Sequence, residues 1–184
     1  PAIYLGKGQQ IVGASLSPKA DYLVVSVRKA GKANEKDIMP NYITGNGDIA
    51  AQKVRARVND VNPEPQRVLL VSLQDGSSTE LSYSSLPGYN EDVLAEVKAE
   101  NAKARGEKYK SEKVIRAIGL MNDWYWSQSA IRWHRNGEQV ALMLKALDNK
   151  DRWIATVDLK QKKLIPQHRL HDDAWVNYAF NDFG

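Results

Sequence analysis

The sequence predicts a mainly β chain: about two four-stranded β-propeller blades, an incomplete propeller, with one helical insertion near residues 90–105. Three observations predict it. Residues 14–27 overlay residues 131–144 turn on turn, and Leu23, Val25 and Val27 fall on Val140, Leu142 and Leu144. Each stretch reads as a strand, a tight polar turn and an alternating strand, the pattern of a hairpin with a buried face. After each comes an apolar run closed by a polar turn, residues 67–76 and then residues 152–161, and a hairpin followed by a hairpin, occurring twice, marks four-stranded blades. A blade takes on the order of 40 to 50 residues and at least about four close a ring. A chain of 184 residues, which starts at Pro1 and stops just after the strand-like run 174–180, is therefore expected to be a fragment of a larger protein.

Taken in order, residues 9–29 form the first hairpin and turn at Ser17-Pro18-Lys19-Ala20-Asp21, where the proline presets the turn and the aspartate bonds locally. The first blade spans 1–88 and contains a long insertion at about 30–60, marked by Gly31, Pro40, Gly45-Asn46-Gly47 and scattered charge. The first hairpins overlay at an offset of 117 residues and the second runs at 86, which leaves the first unit 31 residues longer. Insertions of that size are usually functional, disordered or both. Residues 53–59 alternate, with Val54, Ala56 and Val58 on one side, as a half-buried strand does. Asn62 to Pro65 then turn the chain into the strand at Val68–Leu73.

Residues 89–116 read as a helix and a charged linker. Asn90 is placed to cap the helix, Glu91 and Asp92 suit its positive amino end, Lys103 and Arg105 its carboxyl end, and Gly106 its termination. Val93, Leu94 and Val97 form a short apolar stripe able to lie on the rim of the sheets. The second blade covers 117–173, and residues 174–184 supply the first strand of a following, truncated blade.

Hydrophobic residues at 42% and charged residues at 26% place the chain among globular domains. Its apolar runs fall far short of the roughly 18 residues of a membrane span, and the amino end has no signal-peptide pattern. The absence of cysteine excludes disulfides, thiolate metal sites and a cysteine nucleophile within these residues, yet suits either redox compartment. A net charge of +4 with cations interleaved among acids is a solvated mixed surface and not a nucleic-acid face.

Nucleophilic hydrolysis calls for serine, histidine and acid together, often on a Gly-x-Ser-x-Gly elbow, and no such elbow occurs. The histidines are His134, in a blade turn, His168 and His171. His168 and His171 stand three apart in an extended stretch and point to opposite faces, so the segment 168–173 reads as a structural loop, with Asp172 and Asp173 capping a turn before Trp175, and no metal or cofactor is expected. Gly6-Lys7-Gly8 lacks the third glycine of a dinucleotide fingerprint, and Asp182-Phe183-Gly184 stands without the other kinase loops. Trp133, Trp153 and Trp175 sit at strand positions and are expected to pack between blades, whereas Trp124 and Trp126 are free of that pattern.

Ser17-Pro18 with its following strand, Asp123-Trp124 leading into residues 131–142, and above all residues 148–158 and 168–178 resemble the amino-terminal propeller of a bacterial prolyl oligopeptidase family serine peptidase, in the dipeptidyl peptidase IV branch. The resemblance covers nearly the whole chain and is strongest from about residue 120 onward. It implies a parent whose catalytic triad lies in a carboxyl-terminal α/β-hydrolase domain beyond Gly184, with this chain carrying no catalytic residue. The propeller would cap the active site, admit short or unstructured peptides and hold the free amino end of the substrate. The substrate-side candidates are Asp123, Trp124 and Trp126; the pair of glutamates that follows the Asp-Trp in dipeptidyl peptidase IV is missing from residues 125–129, so the resemblance does not carry that way of anchoring a dipeptide over to this chain. Periplasmic or secreted residence follows from the same resemblance. The alternative is a non-enzymatic propeller used as a protein- or ligand-binding platform. A chain that is complete as it stands would be a small sheet domain, and in either setting open blade edges favour self-association.

Overall fold

A computed structural model describes residues 3–31, 36–54, 64–121 and 129–176 of the chain. The strands among these residues are β1 (Gln9–Leu16), β2 (Tyr22–Lys29), β3 (Ile38–Asn41), β4 (Ala50–Lys53), β5 (Gln66–Ser72), β6 (Ser78–Glu80), β7 (Ile118–Leu120), β8 (Ile131–Trp133), β9 (Val140–Ala146), β10 (Asp151–Asp158) and β11 (Lys163–His171), with one helix, α1 (Ala95–Ala104). The chain divides into two compact units, Pro1–Lys29 with Pro65–Gly184, and Ala30–Glu64. The fold is mainly β, built of antiparallel sheets none of which closes on itself among the described residues.

The larger unit holds two sheets. In the first, the order is β1-β2-β5-β6; in the second it is β11-β10-β9, with β7 and β8 both lying along the far side of β9. Ile118 to Leu120 pair with Ala146 to Leu144, and Ile131 to Trp133 continue along Leu142 to Val140. Between them the Met121 N–H donates to the Met143 carbonyl and the Met143 N–H to the Ala130 carbonyl, both at 2.9 Å, so β7 and β8 occupy one strand position. Each sheet is thus a meander of four positions.

The two offsets seen in the sequence reappear in the backbone. At 117 residues, Ala20 and Gly137 both adopt the left-handed conformation, with φ of 55° and 72°. Their hairpins close alike: Ser17 N–H to the Tyr22 carbonyl and Ala20 N–H to the Ser17 carbonyl are matched by His134 to Gln139 and Gly137 to His134, all four bonds at 2.9 Å. At 86 residues, Gly76 and Lys162 are both left-handed, with φ of 72° and 54°. The Ser17 hydroxyl additionally accepts the Asp21 and Tyr22 N–H groups at 3.0 Å each, which accounts for its burial in a turn.

Side chains alternate across each strand, so β2 and β5, whose central runs Val24–Val27 and Val68–Val71 are buried at every position, are covered on both faces. Val24, Val68 and Leu70 pack with Ile118, Leu142, Leu144, Trp153 and Ala155 of the second sheet, while Val25, Val27, Leu69 and Val71 face the other way against Ile3, Leu5, Leu23 and Leu73. Each fully buried Val, Leu or Ile among them contributes roughly 1.5–3 kcal/mol. Gln66 fixes how the sheets meet: its Oε1 accepts the Ser26 hydroxyl and the Leu120 N–H, both at 2.9 Å. Gly119 makes room for it, since a Cβ there would stand 2.7 Å from Gln66 Cδ.

Three expectations need correction. The helix starts at Ala95 and not at Asn90, because the Asn90 and Tyr89 carbonyls are taken by the Val114 and Arg116 N–H groups at 3.1 and 3.0 Å, and no side chain caps the helix at Leu94. Its end is as expected: Gly106 is left-handed and the Glu107 and Gly106 N–H groups return to the Ala102 and Lys103 carbonyls at 2.8 and 3.0 Å. The apolar stripe is not buried, for Leu94 and Val97 are exposed and the helix buries Ala102 alone. Trp175 is 63% exposed and does not pack between sheets. Of the strand expected at 53–59, Lys53 ends β4, and residues 55–63 lie outside the described residues.

Ala20 bears a left-handed strain that its counterpart Gly137 does not, and a side chain in that conformation costs about 1–2 kcal/mol. Ala20→Gly is expected to stabilise the protein by up to about 1 kcal/mol once the extra freedom of the unfolded chain is set against it, and Gly137→Ala to destabilise it by a similar amount. Urea unfolding midpoints at unchanged slope check both.

Candidate functional site

Asp151 opens β10 on the same face as Trp153, and its side chain is fully buried. The register sets Asp151 opposite His171 and Trp153 opposite Arg169, which brings both partners onto that face. Arg169 Nε donates to Asp151 Oδ1 at 2.6 Å, and His171 Nδ1 lies 3.0 Å from Asp151 Oδ2. The third partner, Arg116, arrives from the segment ahead of β7 and is itself buried. Its Nη1 donates to Asp151 Oδ2 at 2.6 Å and to the Gly88 carbonyl at 3.0 Å, and its Nε and Nη2 grip both oxygens of Asp148 at 2.9 and 2.7 Å. The guanidinium also stands 5.6 Å over the Trp153 ring.

Around this cluster the chain is locked by close approaches. The Asp148 carboxylate accepts the Lys150 N–H at 3.0 Å across a turn whose left-handed residue is Asn149, a residue type that tolerates φ of 63°. Trp153 Nε1 donates to the Pro87 carbonyl at 2.9 Å, and Arg169 reaches both oxygens of Glu91 at 3.2 and 2.7 Å. Gly88 is doubly required, being left-handed and so near Arg169 that a Cβ would lie 2.3 Å from Nη2.

Burial pushes the Asp151 carboxyl up, but the hydrogen bonds from Arg169, Arg116 and His171 outweigh it and hold the group below the usual carboxylate range. Hydrogen bonds from Arg169 hold Glu91 down as well. The two arginines keep their charge firmly: burial opposes it at Arg116 and is overcome by Asp148 and Asp151, and Glu91 leads in raising Arg169.

Beside the cluster lies an open cleft of about 420 Å3 whose walls include Glu91, Asp92 and Glu96 on one side and Lys150, His171 and Asp173 on the other. Asp92 is withdrawn into the wall by Lys98 Nζ at 2.7 Å and by the Tyr109 hydroxyl. His171 Nε2 lies 3.1 Å from Asp173 Oδ1, so the imidazole is held between two carboxylates. A second groove, of about 590 Å3, lies where the tight turns of the two sheets meet, with Lys19, Tyr22, Glu138, Asp158 and Ile165 in its walls. The acids of this cleft are largely paired within the chain, Glu91 with Arg169, Asp92 with Lys98 and Asp173 with His171; among the described residues no group of three His, Asp or Glu side chains is placed to hold a metal ion.

The substrate-side candidates Asp123, Trp124 and Trp126 lie outside the described residues. Residues 168–171 are the end of β11 and not a loop, because they pair with Asp151 to Ile154 of β10, with His168 exposed and His171 drawn into the cluster. Asp172 caps the turn, accepting the Ala174 and Trp175 N–H groups at 2.8 and 2.9 Å, whereas Asp173 faces His171. Trp153 is buried and Trp133 Nε1 donates to the Ser15 carbonyl of the first sheet at 3.3 Å, so both act between sheets. Sequence reasoning missed Arg116, which sits in a run of charges, and Asp151, whose place two residues before Trp153 on an alternating strand is a signal for a buried acid.

No family model matches the sequence, and no curated protein does. Among solved structures, the crystal structure of a Bacteroides ovatus ATCC 8483 protein assigned as a dipeptidyl aminopeptidase IV aligns over 94% of this chain at a TM-score of 0.50 and 10% identity. The chain is similar in fold to a part of that molecule. It spans 21% of that structure's length. Porphyromonas gingivalis dipeptidyl peptidase 4 aligns over 86% of this chain and 17% of its own, at 12% identity and a TM-score of 0.46. Among the described residues no helix is long and apolar enough to cross a membrane.

Removing one partner of a buried ion pair leaves the other uncompensated, at a cost of about 3–5 kcal/mol. Asp151→Asn is expected to destabilise the protein by that amount, read by urea unfolding at neutral pH. Because Asp151 and Glu91 titrate lower in the folded than in the unfolded chain, their stabilisation is present above about pH 4 and is lost as pH falls below it. The wild-type protein should therefore lose stability between about pH 5 and pH 2, and Asp151→Asn should flatten that limb.

Proposed function

We propose that this chain is the propeller portion of a serine peptidase of the prolyl oligopeptidase type, gating and positioning peptide substrates for a carboxyl-terminal α/β-hydrolase domain. The observation that carries the reading is the fold likeness to an assigned dipeptidyl aminopeptidase IV, which takes in 94% of this chain and a fifth of that one. The repeated four-position meander, with its left-handed residues at matched places, supports the two-blade form of that reading. In it, residues 1–88 are one blade with its insertion, 89–116 a helix and linker, 117–173 a second blade, and 174–184 the start of a third.

A gate must hold its shape while substrates pass. The buried cluster around Asp151 fixes the strand ends and the segment 87–91 beside the acid-lined cleft, which gives peptides a rigid wall to meet. In this reading Asp123, Trp124 and Trp126, which the sequence places between β7 and β8, contact the substrate, and catalysis belongs wholly to the hydrolase domain.

A fluorophosphonate probe acylates only an activated serine nucleophile. Applied to the full-length parent, it is expected to label a serine beyond Gly184, and the parent is expected to cleave short peptides in preference to folded proteins. No labelling of a well-folded parent would overturn this reading and favour the non-enzymatic binding platform.

A further inference from the structure

The sequence holds two Asn-Gly pairs, Asn46-Gly47 and Asn136-Gly137, and each lies in the turn of a hairpin with its glycine left-handed, at φ of 76° and 72°. An asparagine followed by glycine is open to attack on its own carboxamide, because no Cβ on the next residue shields it from that residue's nitrogen. The two carboxamides are held alike. Asn46 Oδ1 accepts the Asp48 N–H at 3.3 Å and its Nδ2 donates to Asp48 Oδ2 at 2.7 Å. Asn136 Oδ1 accepts the Glu138 N–H at 3.0 Å and lies 2.7 Å from His134 Nδ1, and its Nδ2 donates to Glu138 Oε2 at 3.2 Å.

The attacking nitrogens differ. Gly137 is buried, a Cβ on it would meet Lys19 Cγ at 3.5 Å and Pro18 Cδ at 3.6 Å, and its N–H donates to the His134 carbonyl at 2.9 Å. Its hairpin carries Ile131, Val140, Leu142 and Leu144 into the core, so freeing that nitrogen means disturbing packed strands. Gly47 is exposed, a Cβ on it would meet nothing within 4 Å, and its N–H reaches the Thr44 carbonyl at 3.3 Å, longer than a normal bond of that kind. Strands β3 and β4 bury no residue, and a hairpin that covers no core opens at little cost. The exposed Asp75-Gly76 turn, which would reach the same ring by losing water, is closed to it. The Gly76 N–H donates to the Ser72 carbonyl at 2.9 Å, and hydrogen bonds from Ser77 and Ser72 lower the Asp75 carboxyl to about 2, which keeps it an unreactive carboxylate.

We propose that Asn46 is a site of spontaneous conversion to aspartate and isoaspartate, from which the fold protects Asn136. The Gly47 nitrogen gives its proton to solvent base and attacks Asn46 Cγ. The new N–Cγ bond closes a succinimide ring, the Cγ–Nδ2 bond breaks, and ammonia leaves with a proton drawn from water. Water then opens the ring. Cleavage of the N–Cγ bond yields aspartate; cleavage between the Gly47 nitrogen and the Asn46 main-chain carbonyl carbon yields isoaspartate, whose chain runs through Cβ and Cγ. The sum is one water taken up and one ammonia released. Either product puts a carboxylate where the Asn46 amide donated to Asp48, turning a bond into a repulsion, and isoaspartate lengthens the turn by a methylene. The reaction is a one-way loosening of the β3–β4 hairpin. The inference stands whether or not the peptidase reading holds.

The test is to hold the full chain in mildly alkaline buffer made with heavy-oxygen water, for as long as a guanidinium-unfolded sample takes to convert, and then to map peptides by mass. Trypsin releases Asn46 in residues 37–53 and Asn136 in residues 136–145. In the folded protein, 37–53 is expected to gain the mass of an amide-to-acid exchange with heavy oxygen built in, roughly tenfold or more faster than 136–145. A methyltransferase selective for isoaspartate should label 37–53 as well. In guanidinium the two rates should converge, since the dipeptides are identical once the fold is gone. Equal rates in the folded protein, faster conversion at Asn136, or an Asn46 that stays intact while the unfolded chain converts would each overturn the proposal.

Discussion

The fully buried Asp151 carboxylate is the constraint on which the larger unit depends. Taking ions out of water costs several kcal/mol each, and the cost is offset only where geometry is close and the remaining lone pairs are satisfied. Here two arginines and a histidine converge on one carboxylate, and those arginines bind Asp148, Glu91 and the Gly88 carbonyl in turn. Three separated stretches, the 87–91 turn, the segment ending at Arg116 and the β10–β11 hairpin, are held in one place by charge-assisted bonds that hydrophobic burial alone would not direct.

Apolar packing does the complementary work. The second sheet buries the ladder Val140, Leu142, Leu144 against the first sheet's Val24, Val68 and Leu70, a contact with little directional preference of its own. Direction comes from Gln66, whose amide oxygen links β2, β5 and β7, and from the bare backbone of Gly119 that lets it pass. Together with Trp133 Nε1 on the Ser15 carbonyl, Gln66 ties the two sheets at fixed points.

The two ends of the sheets differ in kind. At one end four tight turns close the hairpins, and the groove between them is bounded by the Lys19–Glu138 pair at 3.5 Å. At the other end the connections include α1, the Asp148–Lys150 turn and the chain after His171, and there the buried charges and the acid-lined cleft are found. A scaffold that spends its rigidity at one end is suited to holding something there, and that is the physical content of the gating role proposed for it.

The repeat, the hairpins and their turns were legible in the sequence because strand alternation and turn chemistry are local: Leu23, Val25 and Val27 against Val140, Leu142 and Leu144 set the offset that the backbone conformations of Ala20 and Gly137 obey. The end of α1 was legible for the same reason, since Gly106 acts within one turn. What the sequence could not show was which charges go inside. Arg116 lies among solvated lysines and glutamates and became a core residue only because β10 and β11 bring Asp151 to meet it across 35 positions of chain. The start of the helix was lost to the same long-range cause, as Asn90 spends its carbonyl on Val114. Alternation and turns are settled between neighbours, whereas the pairing of a buried charge is settled by residues that only the folded chain makes neighbours.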